Sequence, residues 1–466
     1  MSLVGKIQRW VASTRPVHPL TRAALQRRWA ELPAHVRTPS QVLGRHAVGC
    51  EGTHGVFPRC NLACTPCYHS REANRVATDG GHTVREVRAQ MALLVARRGP
   101  HAHAQLIGGE VTLLDPDDHA ATLQVMREHG REPMSMTHGD VDATYLHRLV
   151  TGPDGRRRLD RVSFAGHFDM LMFGRRGMER PPDEASLHPF RQRFADDVRA
   201  LKGSHGVRSF LAHNMTVTPR NVDQVPGVIE AAHTFGYGLF SFQPAAFMGD
   251  DRRWHDDYGA TTSDAVWSQI EAGAGTRLPF RVFQHGDERC NRTTYGFYVG
   301  ADYHPILDDR DPVDMAVRDA FLNHLGGVQF TGVPPVRLAA TLARVIGRHP
   351  SLLVHFGGWL ARRVVRIGPL RLVRDGIRPV TFVMHSFMDA ADVAPAWAAT
   401  QRGETCTEPR LRETQERLAA CSYAMAHPDT GELVPACVQH SVLDPVENVA
   451  LRALLPLTPV TRSAAP

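Results

Sequence analysis

The chain has 466 residues, of which 42% are hydrophobic and 22% are charged. This composition is typical of a soluble globular protein and excludes a disordered or a fibrous chain. The length predicts two or three domains. The formal net charge of +6 is a mild bias over so long a chain, so we do not expect nucleic acid as a partner.

The cysteine content indicates the compartment. Eight cysteines are too few for a disulfide scaffold of this size. The first residues show no signal-peptide pattern, and no run of about 18 apolar residues predicts a spanning helix. We therefore expect a cytoplasmic protein with reduced thiols. In that compartment, clustered cysteines more often bind metal or do chemistry than form bridges.

Residues 1–48 are basic and locally helical, and we expect them to form an N-terminal helical extension. Strand and helix patterns then alternate from 49 to 260, which predicts a parallel sheet with its chemistry at the carboxyl ends of the strands. We predict an α/β fold with a partial (β/α)6 barrel; an open doubly wound sheet is the alternative that the pattern leaves. The six predicted strands cover 50–57, 104–107, 133–137, 161–165, 209–217 and 239–243.

Capping signals predict where the helices between these strands begin. Thr83 with Glu86 forms a capping box, so a helix is predicted to begin at Thr83 and to end at Gly99. Asp115 and Pro116 predict the start of the next helix. Further helices are predicted at 141–150, 186–201 and 222–235.

The alternation stops after 260, and we expect residues 261–466 to form a C-terminal α+β auxiliary domain. Residues 336–378 predict two amphipathic helices rich in arginine. Such helices can lie on an anionic membrane surface, which would make the protein membrane-peripheral. A packed helical subdomain with solvated arginines explains the pattern equally well. Residues 421–425 and 432–438 predict a β-hairpin.

The strongest motif is a cysteine triplet. Cys60, Cys64 and Cys67 lie within eight residues, directly after the first predicted strand. Thiolates suit iron–sulfur iron or zinc, and a loop this short can supply three ligands to one cluster. One iron of a four-iron cube would then lack a protein ligand and could bind something else. A structural zinc needs a fourth ligand, which His69 could supply, so a zinc-bound structural module is the alternative from a different class.

The spacing Cys-x3-Cys-x2-Cys, followed by the aromatic Tyr68 and placed after a first strand, resembles the radical S-adenosylmethionine superfamily. The resemblance implies a [4Fe-4S] cluster on Cys60, Cys64 and Cys67, with the methionyl amine and carboxylate of S-adenosylmethionine on the free iron. It implies that reduction cleaves S-adenosylmethionine to a 5′-deoxyadenosyl radical, which abstracts hydrogen from a substrate. An electron donor such as a ferredoxin or flavodoxin is the partner that this chemistry requires.

The same resemblance predicts a Gly-Gly-Glu after the second strand, and Gly108, Gly109 and Glu110 stand there. Glycines let backbone approach a ligand closely, and a carboxylate can accept hydrogen bonds from a cationic amine. We therefore predict that these three residues bind S-adenosylmethionine, with Glu110 at the methionyl ammonium. Weaker correspondences on later strands add Ser163 and Asn214 to the predicted contacts. Further polar residues at strand ends, which could face cofactor or substrate, are Thr137, His138, His167, Asp169 and Gln243.

Five cysteines lie outside the triplet. Cys50 falls in the first predicted strand and is interpreted as a buried thiol. Cys290, Cys406, Cys421 and Cys437 are the full ligand count of a second [4Fe-4S] cluster or of a zinc site. Two of them fall on opposite arms of the predicted hairpin. Unconnected buried thiols are the remaining interpretation.

The C-terminal half resembles one subgroup of the superfamily, which contains the archaeal tetraether lipid synthase and dihydropterin dimethyltransferase-like enzymes. Residues 383–389, Cys406 and the stretch from Cys421 to Cys437 carry this resemblance. It implies a lipid or isoprenoid substrate, with carbon–carbon bond formation or methylation. Radical modification of a pterin, of another small molecule or of a peptide is the alternative.

Overall fold

The computed structural model describes residues 17–68, 71–100, 102–249, 254–330 and 333–455. His69, the candidate fourth zinc ligand, lies outside the described residues, as does the first part of the predicted N-terminal extension.

Eleven strands build one large sheet in the described part of the chain, and β2 and β6 pair separately. The strands are β1 (Cys50–Gly52), β2 (Ala63–Cys64), β3 (Ala102–Leu106), β4 (Arg131–Thr137), β5 (Arg161–His167), β6 (Met172–Phe173), β7 (Arg208–Val217), β8 (Leu239–Pro244), β9 (Asn291–Val299), β10 (Asp302–Pro305), β11 (Arg378–His385), β12 (Tyr423–His427) and β13 (Glu432–Pro435).

Helices connect these strands. They are α1 (Pro19–Glu31), α2 (Gly80–Arg98), α3 (Pro116–Glu128), α4 (Ala143–Val150), α5 (His188–His205), α6 (Val225–Ala232), α7 (Ser263–Ala274), α8 (Pro312–His324), α9 (Pro335–Arg348), α10 (Ser351–Ile367), α11 (Pro369–Asp375), α12 (Ala390–Gln401), α13 (Pro409–Ala419) and α14 (Asp444–Leu454). A helical turn, Ala436–Val438, and a π-helix, Gln439–Leu443, lead directly into α14.

The large sheet has the order β10-β9-β11-β8-β7-β5-β4-β3-β1-β12-β13. All neighbouring pairs from β11 to β12 in this order are parallel. The outer strands β9, β10 and β13 are antiparallel to their neighbours. Within the described residues the sheet ends at β10 and β13, so it is open.

The predicted α/β class with a parallel sheet is confirmed. The six predicted strands correspond to β1, β3, β4, β5, β7 and β8, which are neighbours in the sheet in chain order. Two local predictions are wrong. The first strand ends at Gly52, and the following helix begins at Gly80 because Asp79, not Thr83, is its cap: Asp79 Oδ1 accepts from the His82 N–H over 2.6 Å. The Thr83 hydroxyl instead donates to the Val56 carbonyl over 2.7 Å.

The C-terminal half contributes strands to both sides of the six-strand core. β11 adds to β8, and β12 adds to β1, each in parallel. The predicted hairpin is present as β12 and β13. Cys437 lies beyond β13, in the helical turn that follows it. The domain boundaries at 48 and 260 stay predictions.

The two faces of the large sheet differ in burial. On the helix face, Phe164, Phe240 and Phe382 are fully buried against apolar side chains of the helices. We call the opposite face, which bears Gln105, Met134, Phe210, Leu239 and Tyr295, the open face. There Phe210 is 42% exposed and Tyr295 is 36% exposed. Since the middle of a sheet is usually packed on both sides in parallel α/β folds, this exposure marks accessible space over the open face.

The arginine-rich segment forms three helices, α9 to α11, where two were predicted. Several of its arginines are paired: Arg362 and Arg363 with Asp314, and Arg371 with Asp302. Large apolar side chains of the segment are exposed, namely Val336, Leu353, Val354, Leu360, Val365, Leu370 and Val373. None of the helices in the described ranges is both long and apolar enough to cross a membrane.

Candidate functional site

The cysteine triplet lies on a loop that leaves β1 at the carboxyl edge of the sheet. β2 within this loop pairs with β6, so that Cys64 is opposite Met172. The Thr65 N–H donates to the Leu171 carbonyl over 3.0 Å. The loop is therefore held by the segment that follows β5, which is the fourth of the six core strands.

The structure brings the three triplet thiols together. A hydrogen bond with the Cys67 thiol, burial, and the nearby charges of Cys67 and Cys60 together raise the pKa of Cys64 well above its usual value. The Leu62 N–H points at the Cys60 sulfur, 3.4 Å away. A buried thiol that resists ionisation beside two others is stabilised as a thiolate when a metal group shares the charge.

The Gly108–Glu110 segment is bonded directly to the start of the cysteine loop. The Gly109 N–H donates to the Phe57 carbonyl over 2.7 Å, and the Glu110 N–H donates to the Arg59 carbonyl over 2.8 Å. A Cβ on Gly109 would lie 2.1 Å from the Arg59 carbonyl oxygen. The second glycine is therefore required for contact between two backbone segments, a role that the sequence analysis assigned to contact with a ligand.

Glu110 occupies the centre of this contact and is only 1% exposed. Its carboxylate accepts from the Thr112 hydroxyl over 2.6 Å and from the Thr137 hydroxyl over 2.7 Å. It also accepts from the backbone N–H groups of Thr112 and His138, over 3.0 and 2.8 Å. The carboxylate thus joins the ends of β3 and β4. Contact between Glu110 and a methionyl ammonium stays a prediction. The ammonium would be a fifth donor to this carboxylate.

His138 connects the end of β4 to the cysteine loop. Its Nε2 lies 2.8 Å from Asn61 Oδ1, inside the loop. Burial lowers the pKa of His138, against the raising effect of the Glu110 charge. A neutral imidazole here donates one hydrogen bond to Asn61, and it holds the loop at the strand edge.

Arg175 is a buried cation beside the triplet. Its Nη2 donates to the His138 carbonyl over 2.8 Å, and the guanidinium lies 4.8 Å from the Phe168 ring centre. Burial lowers its pKa, while nearby charges that include Asp169 and Cys64 raise it. Its Nε and Nη1 have no hydrogen-bond partner among the described residues. Unpaired buried N–H groups are costly, and an anionic ligand such as a carboxylate would satisfy them.

The end of β5 carries a second polar cluster. His167 Nε2 lies 2.7 Å from Asp169 Oδ2 and 3.2 Å from the Thr216 hydroxyl. Asp169 also accepts from the Leu171 N–H over 2.9 Å, and its charge acts on Cys64. This cluster and the triplet are therefore neighbours at the carboxyl edge.

Asn214 and Ser163, the two remaining predicted cofactor contacts, lie on the open face at different distances from the carboxyl edge. Asn214 on β7 is level with His167 on β5, at the carboxyl edge. Ser163 lies four residues before His167, which is about 13 Å at the rise of an extended strand. Gln243, in the next row toward the edge, has a buried Oε1 with no partner among the described residues.

The C-terminal cysteines form a second group of thiols. Burial and the charges of Cys421 and Cys290 raise the pKa of Cys437. Burial raises the pKa of Cys290 to about 11, and the Arg417 Nε donates to its sulfur over 3.1 Å. The Cys406 N–H donates to Gln415 Oε1 over 3.2 Å.

Cys50 adjoins this second group. The prediction that Cys50 is a buried thiol is wrong, because its side chain is exposed on the open face. Desolvation by the surrounding protein raises its pKa, and the charge of Cys421 adds to the effect. β1 and β12 align Cys50 with Tyr423, two residues after Cys421. Parallel pairing of distant strands creates this neighbourhood.

One site residue and one neighbourhood of residues were not predicted from the sequence. Arg175 lies in a loop with no periodic pattern and is one of many arginines, so nothing local singled it out. The neighbourhood of Cys50 and Cys421 depends on β12 joining the sheet beside β1, which local patterns do not encode.

Comparison with known proteins adds little. No protein-family model matches the chain, and no curated protein matches it. Native anSMEcpe with bound AdoMet and Cp18Cys peptide is 14% identical, covers 48% of this chain and 57% of its own, and has a TM-score of 0.33. Streptococcus suis SuiB bound to precursor peptide SuiA is 14% identical, covers 43% of this chain and 39% of its own, and has a TM-score of 0.29. The chain thus spans less than two thirds of these structures. Because the TM-scores are so low, the proposals below rest on the residues of the site.

We predict that Gly109→Ala displaces the cysteine loop. Its Cβ would overlap the backbone of residues 58–59, and such overpacking costs about 1–3 kcal/mol. Chemical denaturation should show a lower free energy of unfolding by that amount. Gly203→Ala is the matched control: it lies in α5 with no atom within 4 Å of its Cβ, and helix propensity should raise the stability by roughly 0.5–1 kcal/mol. Equal effects of the two substitutions would contradict the backbone contact.

Proposed function

We propose that this chain is a radical S-adenosylmethionine enzyme. The observation that carries the proposal is the joint placement of three thiols, the Gly108–Glu110 segment and a buried guanidinium with unpaired N–H groups at one edge of a parallel sheet. Ligands in open α/β sheets bind outside the carboxyl ends of the strands. In this proposal the six core strands are the partial barrel that holds the site.

Cys60, Cys64 and Cys67 are the proposed ligands of the [4Fe-4S] cluster. When bound, the reduced cluster supplies the electron that cleaves S-adenosylmethionine to the 5′-deoxyadenosyl radical, which takes a hydrogen atom from the substrate. A small redox protein such as a ferredoxin or flavodoxin is the proposed electron donor. The protein itself holds the three thiols in one loop and shields Glu110, which follows β3, from water.

The proposed S-adenosylmethionine contacts are Gly108, Gly109, Glu110, Ser163 and Asn214. To these we add Arg175, because its buried Nε and Nη1 have no hydrogen-bond partner among the described residues and an anionic group would satisfy such donors. Its charge would hold the methionyl carboxylate next to Cys64, on which it already acts.

The open face supports an apolar substrate. The two rows of side chains nearest the carboxyl edge are polar: one contains His167, Asn214 and Ser241, and the next one toward the edge contains Gln243. The rows farther from the triplet carry larger apolar side chains, Met134, Met136, Phe210 and Leu239, which remain partly or well exposed. A reacting carbon at the polar rows with an apolar chain along the lower rows fits a lipid or isoprenoid. A pterin, another small molecule or a peptide is the alternative, and such a substrate would leave the apolar rows uncovered.

The C-terminal thiols are the proposed site of a second cluster. Cys290, Cys421 and Cys437 act on one another electrostatically, which supports a shared site. Cys406 was the predicted fourth ligand. Cys50 is a competitor for that position, because its charge interacts with that of Cys421. Full protein ligation would suit electron transfer or structure, since no iron stays open to substrate.

Peripheral membrane contact through α9 to α11 is also proposed. Leu370 and Val373 are each 86% exposed in a segment rich in arginine. Exposed apolar side chains beside basic ones are the features by which a helix binds an anionic interface. Such contact would bring a lipid substrate to the protein.

Iron analysis tests the cluster assignment. In anaerobically reconstituted protein, replacing Cys60, Cys64 and Cys67 by Ala should remove about four irons per chain and abolish reductive formation of 5′-deoxyadenosine. Replacing Cys290, Cys421 and Cys437 by Ala is the reciprocal control: it should remove the second set of irons and leave the first.

Unchanged iron in the triplet variant would contradict the proposed function. A triplet variant that is folded but holds no iron would contradict only the second cluster. Zinc as the sole metal of the anaerobic wild-type protein would favour the structural alternative.

The carboxylate role of Arg175 is tested by its substitution to Met. Losing one partner of a buried charge pair costs about 2–5 kcal/mol, so S-adenosylmethionine affinity measured by calorimetry should fall by roughly 30-fold or more. Arg176→Met is the control, since the adjacent arginine is exposed and paired with Asp140. Unaltered affinity of Arg175→Met at full iron content would refute the role.

Membrane contact is tested by cosedimentation with vesicles that contain anionic lipid. The wild-type protein should pellet with them, and the double variant Leu370→Ser and Val373→Ser should pellet less, because it loses apolar area for the interface. Thr341→Ser, on α9 in the same segment, is a conservative control. Equal binding of the double variant and the wild type would exclude this surface.

A further inference from the structure

Three potential metal ligands meet beyond the carboxyl end of β1, whereas Cys50 lies at the start of that strand. They are His54 just after β1, His427 at the end of β12, and Glu447 in the first turn of α14. One ligand atom from each lies within 4.8 Å of the others, which holds for no other set of His, Cys, Asp and Glu in the described ranges. None of them belongs to the site proposed above.

The hydrogen bonds fix the tautomer of His54. Its Nε2 lies 2.8 Å from the Ala426 carbonyl oxygen. A carbonyl can only accept, so Nε2 carries a hydrogen, and in the neutral imidazole Nδ1 presents a lone pair. This Nδ1 lies 2.9 Å from Glu447 Oε2.

The tautomer of His427 is fixed through Gln439. The Gln439 amide nitrogen donates to Asp444 Oδ1 and Glu447 Oε2, over 2.9 and 3.0 Å, so the amide oxygen must face the other way. That oxygen lies 2.5 Å from His427 Nε2, which therefore carries the hydrogen. The bare Nδ1 of His427 faces Glu447 Oε1 at 3.7 Å.

With both imidazoles neutral, the three side chains form a cluster of acceptors. Two imidazole lone pairs point at one carboxylate, and the two rings stack with centroids 4.0 Å apart. A proton between His54 Nδ1 and Glu447 would bridge only that one contact. The same proton cannot serve His427. A cation shared by all three groups satisfies every lone pair at once.

We propose that His54 Nδ1, His427 Nδ1 and Glu447 bind one zinc ion. Two imidazoles and a carboxylate are a known zinc ligand set, with water as the fourth ligand. Each ligating histidine donates its other N–H to a fixed acceptor, Ala426 O or Gln439 Oε1, as outer partners of metal sites do. The partial burial of all three side chains leaves access for the ion.

The site would join the two halves of the chain. His54 belongs to the connection that leads to the cysteine loop, while His427 and Glu447 belong to the C-terminal half. Next to Gln439, His440 contacts the ring of Tyr68, directly after the triplet. A zinc ion here would tie the C-terminal segment to the base of the cysteine loop.

Zinc binding to the full-length chain tests the proposal. We expect mass spectrometry to find about one zinc ion per chain bound at this site. This zinc should persist in the variant with Ala at Cys60, Cys64 and Cys67. It should be lost in His427→Ala and in Glu447→Gln. Gln439→Ala should weaken zinc binding by about 10–100-fold, as outer-partner substitutions do. His349→Ala is the matched control, since His349 stacks on His324 at 4.2 Å without belonging to the three-ligand set.

A spectroscopic readout keeps the test independent of the variants' stability. Cobalt added in place of zinc to the iron-loaded wild-type protein should change the spectrum by the visible bands of a tetrahedral nitrogen and oxygen site, with no new sulfur-to-cobalt absorption. Loss of zinc from the triplet variant, with zinc retained in His427→Ala, would overturn the proposal. Absence of zinc and cobalt binding by the wild-type protein would overturn it as well. Neither result bears on the iron content by which the proposed function is judged.

Discussion

The backbone contact between residues 57–59 and Gly108–Glu110 is the constraint on which the site depends. Two hydrogen bonds, of 2.7 and 2.8 Å, fasten the start of the cysteine loop to the end of β3. Without a side chain at Gly109 the two backbones meet, and with one they overlap. Glu110 then passes the constraint to β4 through Thr137 and His138. The thiols are thus positioned by the sheet rather than by their own loop.

Charged side chains lie at the carboxyl edge of the sheet, and larger apolar side chains lie farther from it on the open face. The Glu110 carboxylate accepts four hydrogen bonds from the protein, whereas Nε and Nη1 of Arg175 have no partner among the described residues. Below this edge the open face becomes apolar at Met136 and Phe210. A charged group is therefore favoured at the thiols and an apolar chain away from them. This gradient links the proposed cofactor contacts to the proposed substrate class.

The C-terminal half is built into the sheet that carries the site. β11 and β12 lie parallel to the strands beside them and on opposite sides of the core. Their placement brings Cys421 to Cys50 and His427 to His54. Both of the additional metal sites proposed for this chain lie where β12 meets β1. The pairing of β12 with β1 thus determines which ligands can share an ion.

Local patterns in the sequence determined the six core strands, the cysteine triplet and the Gly-Gly-Glu at the end of the second strand, because strand period, turn chemistry and ligand spacing act over a few residues. They misplaced the cap at Thr83, whose hydroxyl bonds to Val56 instead. Only the tertiary structure decided that Glu110 is saturated by its own chain, that Arg175 reaches the thiols, and that His54 faces His427 and Glu447. Those contacts join residues far apart in the chain, and strand pairing between β1 and β12, not local propensity, brings the most distant of them together.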